Sequence, residues 1–196
     1  MQKEAELSLI RKAAEGDHKA FRVLVESFQS FAYALAHRFV NDDDDAQDIV
    51  QDAFIRVWKH LGRYNPQFKF KTWLGKIITN LCLDHIKSSK SRNEHGKTKA
   101  DEIPGVADPA HYERELDAKE LKTIVAQLAE NLTKKQHAVF VLRDLELLST
   151  EEVCKILEIS PGTMKSNLYY ARLNMKEGLQ NYYREKVPHD ERVGRM

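Results

Sequence analysis

Two stretches of this 196-residue chain carry residues suited to nucleic acid. The first begins Phe68-Lys69-Phe70-Lys71-Thr72-Trp73, bases interleaved with aromatics. Cations hold a strand's phosphates while aromatic faces stack on unpaired bases, at ~1–3 kcal/mol per base. The second, residues 160–176, carries three bases and no acid. It would present a cationic helix face to a duplex. No catalytic arrangement competes with these two, because no nucleophile–base pair is evident. The run Asp42-Asp43-Asp44-Asp45 is the one candidate for a divalent cation. Four consecutive carboxylates do not converge on a point in any regular backbone, and no His or Glu three or four residues on completes a set. The run reads instead as negative charge at a helix start, favoured by the dipole. No metal, no cofactor and no enzymatic activity are expected.

Bulk properties fit an ordinary globular protein, and the net charge taken alone argues against nucleic acid. The apolar fraction is 42%, and only 5 prolines and 8 glycines interrupt the chain. No apolar run approaches the ~20 residues of a membrane span. The start, Met1-Gln2-Lys3-Glu4, lacks the apolar core of a signal peptide. Cys82 and Cys154 lie within apolar helical patterns and read as small core residues. A cytoplasmic protein is expected. The net charge is only +1, but it is unevenly distributed. Residues 41–52 carry six aspartates and no base; residues 69–99 carry eight Lys/Arg against two acids. Residues 100–120 carry seven acids against two bases. Alternating blocks present different faces to different partners.

The elements that hold these residues are helices. Phe21, Leu24, Val25, Phe28, Phe31, Ala32 and Leu35 recur at three- and four-residue steps. A helix from about Asp45 to Leu61 buries Ala46, Ile49, Val50, Ala53, Phe54, Val57 and Leu61. Its other face shows Asp48, Gln51, Asp52, Arg56 and Lys59, with Ile55 near it. This is either a solvated face with Asp52 pairing Arg56, or a docking surface. Residues 62–71, with Asn65-Pro66, form a loop, and another helix runs from about Thr72 to Ser88. Beyond it, residues 89–112 lack apolar periodicity and read as a flexible linker. Thr133-x-x-Gln136 and Ser149-x-x-Glu152 fit capping boxes.

Residues 149–176 predict a helix-turn-helix. Its first helix, Thr150 to Glu158, buries Val153, Cys154 and Leu157. Ser160 caps the second, and Pro161 takes the first helical position, where its missing N–H costs nothing. Met164, Leu168, Ala171 and Met175 face inward. Thr163, Lys165 and Ser166 lie in the first turns, where such helices meet base edges. Tyr169 and Tyr170 share that outer face, while Arg172 and Lys176 lie further along and suit phosphates.

In order and spacing, three segments resemble the extracytoplasmic-function group of bacterial RNA polymerase sigma factors. They are Asp45-Ala-Gln-Asp-Ile-Val-Gln-Asp-Ala-Phe-Ile-Arg-Val-Trp58, Phe70-Lys-Thr-Trp-Leu through Asn80-Leu-Cys-Leu-Asp84, and Ser160-Pro-Gly-Thr-Met-Lys-Ser166 through Arg172. The resemblance implies an all-α fold of two small domains: residues 1–90, a flexible acidic linker 91–119, residues 120–183 ending in the helix-turn-helix, and a tail 184–196. It implies an initiation factor whose partners are core RNA polymerase and promoter DNA, together with an anti-sigma factor. Asp48, Gln51, Asp52, Ile55, Arg56 and Lys59 would dock on the clamp of the polymerase's largest subunit. Lys69, Lys71, Thr72, Trp73, Lys76, Asn80, Asp84 and Lys87 would melt and read the −10 element, with an extruded base held near the loop before Trp73. Ser160, Pro161, Thr163, Lys165, Ser166, Tyr169, Tyr170 and Arg172 would read the −35 duplex. The linker would thread near the RNA exit path. The chain departs from the family at Asn167 and Tyr170, where bases are frequent, and at Gly75, where a larger residue is usual. The competing reading is a stand-alone helix-turn-helix regulator. That reading requires a ligand pocket or phosphoacceptor in the first module, and the sequence offers no candidate.

Overall fold

A computed structural model of the chain describes residues 2–92, 120–121 and 123–186. Most of the expected linker and most of the expected tail lie outside the described residues. Helix α1 is Gln2–Ala14, α2 His18–Val40, α3 Asp43–His60 and α4 Phe70–Arg92, with a 3-10 turn at Leu61–Arg63. Residues 123–130 form α5. Helix α6, Lys134–Phe140, runs into a π turn at Val141–Leu145, followed by α7, Thr150–Leu157, and α8, Pro161–Lys186. Among the described residues there is no strand, as the sequence patterns required.

Local chemistry sets the boundaries. Asp17 caps α2 by accepting from the N–H groups of Lys19 and Ala20, and those bonds hold its carboxyl below the usual range. Asp42 caps α3 through the Asp45 N–H at 2.9 Å, so α3 starts two residues before the expected point. The rest of the aspartate run ties helices together. Asp43 accepts from the Tyr33 hydroxyl at 2.5 Å, and Asp45 lies 3.0 Å from His85 of α4. The carboxylates thus diverge toward separate partners. Both expected capping boxes are present, at the starts of α6 and α7.

Helices α2, α3 and α4 pack around Leu24, Leu35, Ile49, Val57, Leu74 and Ile78. Burying each such side chain stabilises the fold by ~1.5–3 kcal/mol. Cys82 is enclosed there, and burial pushes its thiol up to about 12, so it stays a neutral core residue. The core does not end with the first module. Val139, Val141, Leu142, Val153, Ile156 and Met164 belong to the same cluster. A second cluster of Ala129, Leu132, Phe140, Ala171 and Met175 joins α5 and α6 to α8.

The burial expected for α7 needs one correction. Val153 is enclosed, but Cys154 and Leu157 are only partly so, and Ile156, at 2% exposure, is the second core residue of this helix. The helix's own periodicity does not distinguish Ile156. Its burial comes from α4, where Gly75 lacks the side chain that would fill the space: a Cβ there would stand 3.3 Å from Ile156 Cδ1.

Candidate nucleic-acid and polymerase interfaces

Helix α3 separates its residues by face. Ala46, Ile49, Ala53, Phe54 and Val57 are enclosed. Asp48, Gln51, Asp52, Ile55, Arg56 and Lys59 are all exposed, and no ion pair joins Asp52 to Arg56. Ile55 is 51% exposed, an unusual setting for a large aliphatic side chain. Single exposed apolar residues are common, but one ringed by unpaired charges and an amide has the makeup of an interface.

Helix α4 gathers the second group. Lys69, Trp73, Lys76, Asn80, Asp84 and Lys87 follow one another at steps of four, three, four, four and three, so they form one stripe from the N-terminal flank of α4 onward. Lys69, Asn80, Asp84 and Lys87 are exposed; Trp73 and Lys76 are partly covered. Trp73 is neither free nor fully core. Its ring lies 5.5 Å from that of Tyr64 and 5.8 Å from that of Phe70. Phe70 in turn rests 4.9 Å from Phe28. The Tyr64 hydroxyl donates to the Phe68 carbonyl at 2.5 Å and fixes the loop before α4. Lys71 lies off the stripe, its ammonium 4.3 Å over the Phe31 ring. Thr72 is buried at 8% exposure, so its hydroxyl does not share the outward stripe in this arrangement.

The third group sits where α7 meets α8. Ser160 caps α8: its hydroxyl accepts from the Thr163 N–H at 3.1 Å, and Pro161 opens the helix. Met164, Leu168, Ala171 and Met175 face the core, as their spacing required. Thr163, Lys165, Ser166, Tyr169 and Tyr170 are exposed. The two tyrosine rings meet edge to face at 5.4 Å. A shallow groove along this face is lined by Lys165, Leu168, Tyr169, Arg172, Leu173 and Lys176. Asn167, where a base is frequent in the family, folds back to donate to the Thr163 carbonyl at 2.8 Å.

Arg172 has a local role that its sequence position did not reveal. It grips Asp144 with two bonds, Nε to Oδ2 at 2.8 Å and Nη2 to Oδ1 at 2.6 Å. That hydrogen bond raises the guanidinium pKa further. Asp144 lies within the π turn Val141–Leu145. The same turn lets Arg143 donate to the Leu148 carbonyl at 2.8 Å.

Sequence comparison agrees with this layout. Residues 24–92 match Sigma-70 region 2, and residues 122–175 match Sigma-70, region 4. The ECF RNA polymerase sigma factor SigW of Bacillus subtilis is 31% identical over 180 residues, covering 88% of this chain and 95% of SigW. The fold is similar to CnrH in complex with the cytosolic domain of CnrY, at a TM-score of 0.66 and 22% identity over 90% of this chain and 98% of that one. It is also similar to the sigma factor RpoE in complex with the anti-sigma factor NepR from Bartonella quintana, at a TM-score of 0.62 and 20% identity over 83% of this chain and 98% of that one. Among the described residues no helix is long and apolar enough to cross a membrane. With both sigma regions matched in order and a relative aligned across nearly its whole length, the chain is an alternative sigma factor directing promoter-specific transcription, not an enzyme or a stand-alone regulator, and it belongs to the extracytoplasmic-function family of bacterial RNA polymerase sigma factors.

Proposed function

We propose a division of labour among three surfaces, acting in the cytoplasm. Asp48, Gln51, Asp52, Ile55, Arg56 and Lys59 of α3 dock the factor on core RNA polymerase. The α4 stripe of Lys69, Trp73, Lys76, Asn80, Asp84 and Lys87, with Lys71 and Thr72 beside it, engages the −10 element as a single strand. Ser160, Pro161, Thr163, Lys165, Ser166, Tyr169 and Tyr170 address the −35 duplex. Arg172 keeps its charge near that surface, while its pair with Asp144 fixes the angle of α8. Residues 1–90 and 120–183 act as the two working domains on either side of the linker. An anti-sigma factor is the remaining partner, a reading supported by the company in which RpoE is found.

The observation that carries this reading is the α3 face. A helix whose inner side is enclosed leaves Ile55 and three unpaired charges, Asp48, Asp52 and Arg56, in solvent. Such a surface is satisfied by a partner of matching charge and an apolar dimple. Asp52→Arg places a cation where the surface is acidic. The expected result is loss of core polymerase binding by at least tenfold in a pull-down or fluorescence titration, with unchanged circular dichroism. Wild-type affinity in that variant would move the docking site elsewhere.

A further inference from the structure

The outer face of α8 holds two large aromatic side chains in solvent. Tyr169 is 64% exposed and Tyr170 is 51% exposed. Their rings meet edge to face, with centroids 5.4 Å apart and planes at 77°. Beside Tyr169, Leu168 and Leu173 add apolar surface to the shallow groove that Lys165, Arg172 and Lys176 also line. Exposed apolar surface bordered by bases suits a partner that is apolar in places and anionic around them. The major groove of a duplex has that makeup. The apolar feature among its base edges is the thymine C5 methyl, and phosphates flank it.

The arginine and the amide nearest the tyrosines are engaged within the chain. Guanine is read in the major groove by a bidentate arginine or lysine, and adenine by a bidentate asparagine or glutamine. Arg172 gives Nε and Nη2 to Asp144, at 2.8 and 2.6 Å. That edge of the guanidinium is occupied by a carboxylate, whose charge also offsets the cation beside the groove. Asn167 donates its amide N–H to the Thr163 carbonyl at 2.8 Å. A helix rises ~1.5 Å per residue, so the tyrosines stand about 6 Å beyond Lys165 and Ser166 along the axis. That is about two base-pair steps of ~3.4 Å. Lys165 faces the bases at the near end, and the two rings face them at the far end.

We propose that Tyr169 and Tyr170 are specificity-determining residues that pack on thymine 5-methyl groups, so that the −35 element carries A·T pairs about two steps beyond the base under Lys165. The inference rests on the reading of α8 as the −35 helix given above. A tyrosine ring has only two side-chain torsions to lose on binding, and the edge-to-face pairing already restricts them. The rings therefore meet the groove preformed. Moving one methyl from water onto an apolar surface is worth about fourfold in affinity, and two together roughly 15-fold.

Deoxyuridine in place of thymidine tests this, because uracil pairs as thymine does and lacks only the methyl. The protein is the holoenzyme assembled from the full chain and core polymerase. Unlabelled duplexes compete against a fluorescein-labelled duplex of the promoter that the holoenzyme selects, with each −35 thymine replaced in turn. Wild type should lose about fourfold at one or two adjacent thymines and nothing at the others. Tyr169→Ala/Tyr170→Ala should bind more weakly and show no difference between thymine and uracil. Tyr169→Phe/Tyr170→Phe removes only the hydroxyls and should still distinguish them. The proposal is overturned by wild-type indifference to uracil at every −35 thymine, a result that needs no variant to fold. It is equally overturned by discrimination that survives in the alanine variant, or by its loss in the phenylalanine variant, where the hydroxyls would then be the reading groups. A duplex with a scrambled −35 sequence is scored separately. Equal binding of the scrambled and native duplexes sinks the −35 assignment of α8 and the proposal with it. Rejection of the scramble with indifference to uracil sinks the tyrosine contact alone.

Discussion

Substituting Gly75 with leucine probes the contact on which the seam between the modules depends. A Cβ at this position would lie 3.3 Å from Ile156 Cδ1, 3.7 Å from Phe31 Cζ and 3.9 Å from Leu35 Cδ2. The first distance is already tight, and leucine adds three more carbons. Those carbons must enter space held by Ile156 and Leu35, which are 2% and 0% exposed. Inserting methylenes into a packed core costs ~1–3 kcal/mol. Leucine returns roughly 0.8 kcal/mol of helix propensity relative to glycine, but that gain accrues to α4 whether or not α7 is seated. Lifting α7 relieves the tightest of these contacts, with Ile156, and leaves those with Phe31 and Leu35 of α2. The seated arrangement of α7 should therefore lose the Ile156 share of that cost, up to ~3 kcal/mol, or at most about a 150-fold drop in its population. Small-angle scattering of the free Gly75→Leu chain should give a larger radius of gyration than wild type. Hydrogen exchange should accelerate in α7 but not in α3, and helix content should be unchanged. Gly75→Ala adds only the Cβ, against the terminal methyl of Ile156, and should remain closed. A compact Gly75→Leu chain with protected α7 amides would refute the account of this seam.

Other perturbations test separate parts of the structure. Leu147 is 78% exposed and has φ 55. Leu147→Gly should relieve ~1–2 kcal/mol of left-handed strain, offset in part by glycine's unfolded-state freedom, and raise the Tm by about 1–4 °C; a lower Tm contradicts this. Lys165→Ala should weaken binding of a −35 duplex by ~1–3 kcal/mol if the lysine reads a base; an unchanged Kd moves specificity to its neighbours. The closed packing should also respond to acid. The Glu152 and Glu158 carboxyls are lowered from 4.5 in the folded chain, so their contribution is complete above that pH and is lost as pH falls through the lowered values. Glu146 has the opposite sign, because burial raises its carboxyl against the pull of Arg38. Thermal melts from pH 7 to pH 3.5 should show wild type losing Tm, and Glu152→Gln/Glu158→Gln losing less over the same range. An equal loss in the double variant would remove these two carboxylates from the seam.

What the sequence made legible was mostly local. Ser149 with Glu152, and Thr133 with Gln136, are capping boxes because three-residue spacing alone brings each pair together. Met164, Leu168, Ala171 and Met175 are buried because a helix repeats at 3.6 residues. The α3 face was visible in the same way. Less accessible were contacts made across the chain. Ile156 meets Gly75 only after folding, so nothing in α7 itself separates it from Leu157. Gly75 reads as an odd departure from the family until Ile156 is placed beside it. Arg172 reads as a phosphate contact because its position on α8 is outward and basic. Its bidentate partner, Asp144, lies 28 positions away in a π turn that no periodicity announces. Thr72 lies within a cationic stretch, but its side of α4 turns inward.

The central claim is that this chain confers promoter choice on RNA polymerase. The direct measurement is transcription in vitro on fragmented genomic DNA of the source bacterium, with core polymerase alone and with core plus the purified chain, followed by sequencing of transcript 5′ ends. The account predicts new start sites that share one −10 and one −35 element, absent with core alone and lost with Asp52→Arg. Identical transcripts with and without the chain would contradict it.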